Sequence, residues 1–383
     1  MLSPTALSGL ALALATAALV APSLRRQRAS AYPVPLGTWL AFDARVRWQA
    51  LLLWASGVSR ELEVLPAVAA VAPGVLRVLG QNPSRLTLRG TNTYLVGRGA
   101  TRILVDASDG NDAYIAALLR TCHDAGVREI SHVLLTHGHL DHMGGILRVR
   151  EAFPRARMLK YLPRDDAALR VSNAECALLG VEPLADGAEF PVDNGDDPSA
   201  PHEVLRAVYT PGHCIDHMCF VLENTQESAQ RVLFSGDCVL GAGSCIFESL
   251  KELMDSLALL QAQNPRVIFP GHGPVVVDAQ AKIHEYISHR EQRENEVLAV
   301  LAATATATAT GPASAGLSSA EIVRRIYEKL PFALQLAARK AVEKHLHKLV
   351  LEQRVERVGG AQSSSWWLWR SAPTFRLVGG SKL

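Results

Sequence analysis

The chain has little of several features that would settle its class at once. Its six cysteines, Cys122, Cys176, Cys214, Cys219, Cys238 and Cys245, show no paired metal-finger spacing, which excludes a cysteine-built zinc finger. At 383 residues the chain can bury a large core and a smaller one, so disulfide stapling is unnecessary and a reducing compartment is the simpler expectation. Aromatic residues are 6% of the total, and no stretch interleaves them with basic residues in a nucleic-acid-binding pattern. Net charge is only +2 and the pI about 8.2, which neither demands nor excludes a polyanionic partner. No Lys or Arg precedes the uncharged run Ala6 to Leu24, and Arg25, Arg26 and Arg28 follow it; a secretory signal has the opposite order.

That run, at about 19 residues, could just span a bilayer, although Ser8, Thr16, Pro22 and many alanines weaken it. A membrane anchor or mitochondrial-type presequence, with possible membrane contact, and an ordinary apolar helix or leader both stay open. The final Ser381-Lys382-Leu383 spells the peroxisomal import tripeptide, so a peroxisome-type organelle is the expected location, in conflict with the N-terminal run.

Residues 1–60 read as an apolar, Arg-punctuated extension with Trp39, Trp48 and Trp54 on a helical stretch that packs on the main domain or a membrane surface. From Val75 short β-rich runs, VLRVLG, TNTYLVG, TRILVDA, SHVLLTHG, HEVLRAVYTPG, RVLFSGD and PRVIFPGHG, alternate with helical stretches such as Asp112 to Ala125 and Leu250 to Ala262. The alternation predicts a mixed α/β main domain over 61–300. AATATATATGPASAG predicts a low-complexity linker over 301–316 with nothing to pack. Beyond it, Ser318 to Lys329 and Phe332 to Gln353 predict helices, and RVERVGGAQSSSWWLWR a strand, a turn and a strand, which makes 317–375 winged-helix-like and 376–383 a tail. Leu317 to Arg357 holds nine Lys or Arg against five Glu, either a solvated helix face or a surface for a phosphate backbone.

The chemistry concentrates in THGHLDHMGG, Thr136 to Gly145, which follows the apolar strand Val133 to Leu135. His137, His139, Asp141 and His142 place four metal-type side chains in six positions of one strand-end loop. His213 in YTPGHC, Asp237 in FSGD and His272 in PGHG each follow a strand in the same way, with Gly212, Gly236, Gly271 and Gly273 beside them to allow tight bends.

This ordered set resembles the metallo-β-lactamase superfamily over about Val75 to Arg290. The resemblance implies a metallo-β-lactamase αβ/βα four-layer sandwich with a C-terminal winged-helix-like domain, and two Zn2+ ions. It implies His137, His139 and His213 on one ion, Asp141, His142 and His272 on the other, Asp237 bridging, and Asp106 supporting the site loops without being a ligand. QNPSRLTLRGTNTYLVG, TPGHCIDHMCF, FSGDCVLGAGSCIFESL, PGHGPVV and YISHREQRE, with IYEKLP and HLHKLVLEQRV in the C-terminal unit, resemble the β-lactamase-like protein 2 group. Its members include a single-strand-selective endoribonuclease, and its relatives include acyl-carrier-protein thioesterases.

The implied activity is hydrolysis by a metal-bridging hydroxide, oriented by Asp141 and stabilised by the ions. His217 is a candidate leaving-group acid or supporting residue, against a structural role hydrogen-bonded to Asp216. Cleavage of single-stranded RNA phosphodiesters is the first expectation, because the relatives cut RNA and the C-terminal unit is basic; hydrolysis of an acyl thioester is the second. A metal-bearing binding protein without catalysis is the reading from another class. PGHGPVV departs from the glutathione-thioester hydrolases, and flavodiiron-type chemistry would need a glutamate where His139 stands.

Overall fold

The computed structural model describes residues 34–59, 61–195, 203–224, 231–308, 316–327, 331–358 and 373–378. The run Ala6 to Leu24, linker residues 309–315, the strand expected around Trp366, Trp367 and Trp369, and Ser381-Lys382-Leu383 lie outside the described residues. Among those described, no helix is long and apolar enough to cross a membrane.

After helix α1 (Leu36–Ala55), the first sheet is built in chain order from β1 (Val68–Ala72), β2 (Val75–Leu79), β3 (Asn92–Val96), β4 (Thr101–Val105), β5 (Glu129–Leu134), β6 (Arg157–Lys160) and β7 (Val181–Pro183). Its first four strands pair antiparallel and the rest parallel. The parallel crossovers carry α2 (Asp112–Asp124), α3 (Leu140–Met143), α4 (Ile146–Ala152) and α5 (Asn173–Leu178). A second sheet, from β8 (Glu189–Pro191), β9 (Glu203–Tyr209), β10 (Met218–Asn224), β11 (Val232–Gly236) and β12 (Val267–Pro270), runs in the order β12-β11-β10-β9-β8. Helices α6 (Leu250–Ala262) and α7 (Ala279–Thr308) follow its last strands.

Strand periodicity stacks these elements into layers. Along β3, Tyr94 and Val96 enter a core shared by the two sheets, while Leu95 enters the core under α1 and α2; β4 repeats this with Ile103 and Val105 against Leu104. On β10, Met218, Phe220 and Leu222 face the shared core, and Cys219 and Val221 face the outer core with Leu253 and Leu257 of α6 and Ile283 of α7. The result is the expected four-layer αβ/βα sandwich, with three successive apolar layers between helix, sheet, sheet and helix.

Three boundaries read from the sequence need correction. The main domain does not begin at 61: in line with the expected packing on that domain, α1 places Trp39, Phe42 and Val46, spaced three and four apart, in the core under the first sheet. Trp48 and Trp54 on the same helix stay 63% and 71% exposed. The linker does not begin at 301, because α7 continues to Thr308, and its Val297, Leu298 and Leu301 pack into the C-terminal domain. Alanine supports a helix, and a helix with a partner face persists where composition alone suggests a spacer. Nor does the tail begin at 376: β14 (Val355–Val358) pairs with β15 (Thr374–Leu377), so Arg376 and Leu377 are sheet residues.

That C-terminal domain adds β13 (Leu317–Ser318), α8 (Ser319–Ile326) and α9 (Phe332–Leu351) to the β14/β15 pair, giving helices and a three-stranded sheet in winged-helix arrangement. A capping box between Ser318 and Glu321 starts α8. Glu294 of α7, bonded to Lys348 at 2.6 Å and Arg354 at 2.9 Å, ties the domain to the sandwich.

Docking of α1 has a direct consequence. Phe42→Ala, at a fully buried position, is expected to destabilise the protein by about 3–5 kcal/mol in urea unfolding. An unchanged midpoint would show that α1 is not part of the core.

Candidate metal centre

Each metal-type side chain sits just beyond the C-terminal end of a strand: His137, His139, Asp141 and His142 after β5, His213 after β9, Asp237 after β11 and His272 after β12. The two sheets therefore deliver all seven to one edge of the sandwich. They form two groups, His137, His139, His213 and Asp237 in one, and Asp141, His142 and His272 in the other. The structure thus brings together every ligand position expected from the sequence.

Hydrogen bonding decides what these atoms present to each other. Thr136 Oγ1 lies 2.9 and 3.1 Å from the Asp106 carboxylate, to which it donates, and so receives the Nδ1–H of His137 at 3.0 Å. His213 Nδ1–H donates to the Ile246 carbonyl at 2.6 Å, and His142 Nδ1–H to Asp106 Oδ2 at 2.8 Å. Each bond leaves the Nε2 lone pair aimed inward. His137 Nε2 and His213 Nε2 then converge on His139 Nδ1 at 2.9 and 3.1 Å, although one ring nitrogen can donate to only one of them.

In the second group, His142 Nε2 faces His272 Nε2 at 3.2 Å and Asp141 Oδ2 at 3.5 Å. Asp237 divides its oxygens between the groups: Oδ2 is 3.7 Å from His213 Nε2, and Oδ1 is 3.4 Å from both His142 and His272 Nε2. Oδ1 is buried with no partner in hydrogen-bond geometry. A buried acceptor without a donor is costly, and acceptors converging on one point call for a cation. The nitrogen separations are near the about 3.3 Å edge of a tetrahedron with zinc–nitrogen bonds of about 2.0–2.1 Å. The donor set fits a divalent metal with Asp237 as the shared ligand.

Titration behaviour divides the groups in the same way. Burial and neighbouring imidazoles hold His137 well below its ordinary pKa and His139 down to about 4, so both are neutral donors at pH 7. Burial also opposes charge on His272, but the carboxylates of Asp237 and Asp141 override it and raise its pKa to about 9. Carboxylates that attract a proton this strongly attract a divalent ion as well.

Close backbone approach shapes the site. At Gly271 a β-carbon would sit 2.7 Å from Asp237 Oδ1 and 2.9 Å from His142 Cε1, so only glycine leaves room for the ligands. Asp106 itself adopts a left-handed backbone, φ +59°, at the end of β4, which aspartate tolerates better than most residues. Its carboxylate also accepts the Thr136 N–H at 2.8 Å and thereby holds the start of the ligand loop.

His217 does not fit the leaving-group role considered for it. The ring is fully buried, its Nδ1 is 3.0 Å from Thr210 Oγ1, and its Nε2 accepts the backbone N–H of Asp237 at 3.1 Å. Both nitrogens are engaged, and the residue fixes the bridging aspartate's main chain. Asp216 is not its partner. That carboxylate receives the Gly138 N–H at 3.0 Å and the Nζ of fully buried Lys160 at 2.6 Å, beneath the turn between His137 and His139. Sequence reasoning missed this support; the only signal was a lysine inside the otherwise apolar run MLKYL.

A mixed α/β sandwich with a histidine–aspartate centre at its strand ends defines a class of metal-dependent hydrolases. The chain belongs to the metallo-β-lactamase superfamily, whose pattern matches residues 86–272, and a β-lactamase-associated winged helix domain matches residues 318–366. Lactamase-like protein adaB of Aspergillus niger is 36% identical over 323 residues, 84% of this chain and 93% of its own length. The β-lactamase-like protein 2 homolog of Drosophila melanogaster is 34% identical over 319 residues, 82% of this chain and 100% of its own. An atrochrysone carboxyl ACP thioesterase of Aspergillus fumigatus is 35% identical over 278 residues, 71% and 79%. A β-lactamase domain protein from Burkholderia ambifaria, 22% identical over 82% of this chain and 96% of its own, shares the fold with a TM-score of 0.57.

The buried Lys160–Asp216 pair has a pH signature. Burial pushes the Asp216 carboxyl up, but Lys160 overrides it and holds the pKa below the ordinary value. The pair's contribution is therefore complete above the ordinary carboxylate range near 4 and is lost as pH falls through the lower folded value. Lys160→Met is expected to cost about 3–5 kcal/mol at pH 7 by leaving a buried charge unpaired, and less near pH 4 as Asp216 takes up a proton. Equal cost at both pH values, in urea unfolding, would contradict this.

Proposed function

We propose that the protein hydrolyses acyl thioesters with two zinc ions, one held by His137, His139 and His213, the other by Asp141, His142 and His272, and both by Asp237. When bound, such ions activate water near neutral pH and polarise the carbonyl to be attacked. The chain's own groups do the rest. Burial raises the pKa of Asp141, but His142 and His272 override it and hold the residue well below the ordinary carboxylate range, so it stays ionised and orients water by accepting hydrogen bonds. His139 and Asp141 are the partly exposed members of the two groups, so substrate approaches from their side.

The observation that carries the choice of substrate is the rim beside His213. Ile246, whose carbonyl orients that ligand, is 64% exposed and offers an apolar contact for an acyl chain. The Aspergillus fumigatus thioesterase named above supports the same substrate class. At least three of the nine basic residues counted over Leu317 to Arg357 are ion-paired within the fold: Arg339 pairs with Glu343, Lys348 with Glu294 and Glu352, and Arg354 with Glu294. Single-stranded RNA remains the second reading, favoured by Lys340 and His347 lining a cleft between α9 and residues 248–250.

Zinc-loaded protein assayed side by side on a carrier-protein thioester and a labelled single-stranded RNA is expected to turn over the thioester. Asp237→Ala is expected to lower that turnover at least about 100-fold. RNA cleavage without thioester turnover would move the protein to the nuclease reading.

A further inference from the structure

We infer that Lys344, on α9 of the winged-helix domain, is a positioning residue for the metal ligand His213, acting through the backbone of residues 246–248. The inference rests on the metal reading of the site and is independent of the substrate.

The chain of contacts is short. His213 Nδ1–H is fixed by the Ile246 carbonyl at 2.6 Å, which sets the tautomer and the aim of its Nε2. Two residues on, the Glu248 N–H donates to the carbonyls of Gly212 at 2.8 Å and His213 at 3.1 Å. Between these two anchors the Phe247 carbonyl accepts from Lys344 Nζ. The same ammonium stands 4.5 Å from the centre of the Phe247 ring, so it holds both the backbone and the side chain of that residue.

The rest of the loop is fastened from α7. The Tyr286 hydroxyl receives the Leu240 N–H at 3.1 Å and donates to the Gly243 carbonyl at 3.1 Å, and Arg290 Nη2 donates to Ser244 Oγ at 3.2 Å. Arg290 also lies 5.5 Å from the Phe247 ring centre. Among the described residues, Lys344 is thus a hold contributed by the C-terminal domain. Peptides 246–247 and 247–248 share the Phe247 α-carbon, so a reoriented Phe247 carbonyl moves the Ile246 carbonyl that aims His213. On this account the winged-helix domain completes the metal centre in addition to any part in substrate binding.

The test uses the full chain. Zinc affinity is measured by chelator competition, and the cobalt-substituted protein's visible spectrum reports ligand geometry. Lys344→Met and Lys344→Gln, which keeps a polar end too short to reach, are expected to weaken one of the two ions by about 10- to 100-fold and to alter the cobalt spectrum. Lys344→Arg should restore most of both readouts, and Lys340→Met, one turn away in the same cleft, should match the unaltered protein. A lower melting temperature in Lys344→Met or Lys344→Gln with unchanged zinc affinity and cobalt spectrum would overturn the inference. Failure of the unaltered protein to bind metal would overturn the metal reading itself, and this inference with it.

Discussion

Convergence of hydrogen-bond acceptors on two points is the constraint from which the rest follows. Three imidazole nitrogens and a carboxylate oxygen meet in one group, and two imidazole nitrogens with oxygens of Asp141 and Asp237 in the other. Such an arrangement is unfavourable without a positive charge among its members, which a proton on His272 or a bound cation supplies. The protein holds these atoms together through the bonds that point away from the centre: Asp106 and Thr136 behind His137 and His142, the Ile246 carbonyl behind His213, and His217 behind the main chain of Asp237.

The sandwich makes that arrangement possible. Every ligand loop leaves the C-terminal end of a strand, and the strands are locked in register by a core in which alternate side chains fill alternate layers. The turn carrying His137 and His139 rests on Asp216 and Lys160, a buried pair that fixes the Gly138 amide. The loop that aims His213 is fastened by α7 and α9, so the C-terminal domain and the metal centre share one mechanical element.

Much of this was legible in the sequence because metal-type residues at strand ends carry their own context. THGHLDHMGG, YTPGHC, FSGD and PGHG announce both the ligand and the glycine that makes room for it, and alternation in runs such as TRILVDA announces the sheets. What was not legible depends on tertiary partners. Helix α1 was expected to pack on the main domain or a membrane surface, and only the tertiary structure shows which side chains do so: Trp39 and Phe42 are buried while Trp48 is not. The alanine–threonine run looked like a spacer because composition says nothing of the face that Leu298 and Leu301 present to the winged helix. His217 looked like a possible acid because a motif does not show that both ring nitrogens are engaged.

The most direct measurement is anomalous diffraction at the zinc edge from crystals of the zinc-loaded protein. The account predicts two peaks, one among His137 Nε2, His139 Nδ1, His213 Nε2 and Asp237 Oδ2, the other among Asp141 Oδ2, His142 Nε2, His272 Nε2 and Asp237 Oδ1. No peak at this edge of the sandwich, or zinc bound only elsewhere, would contradict it.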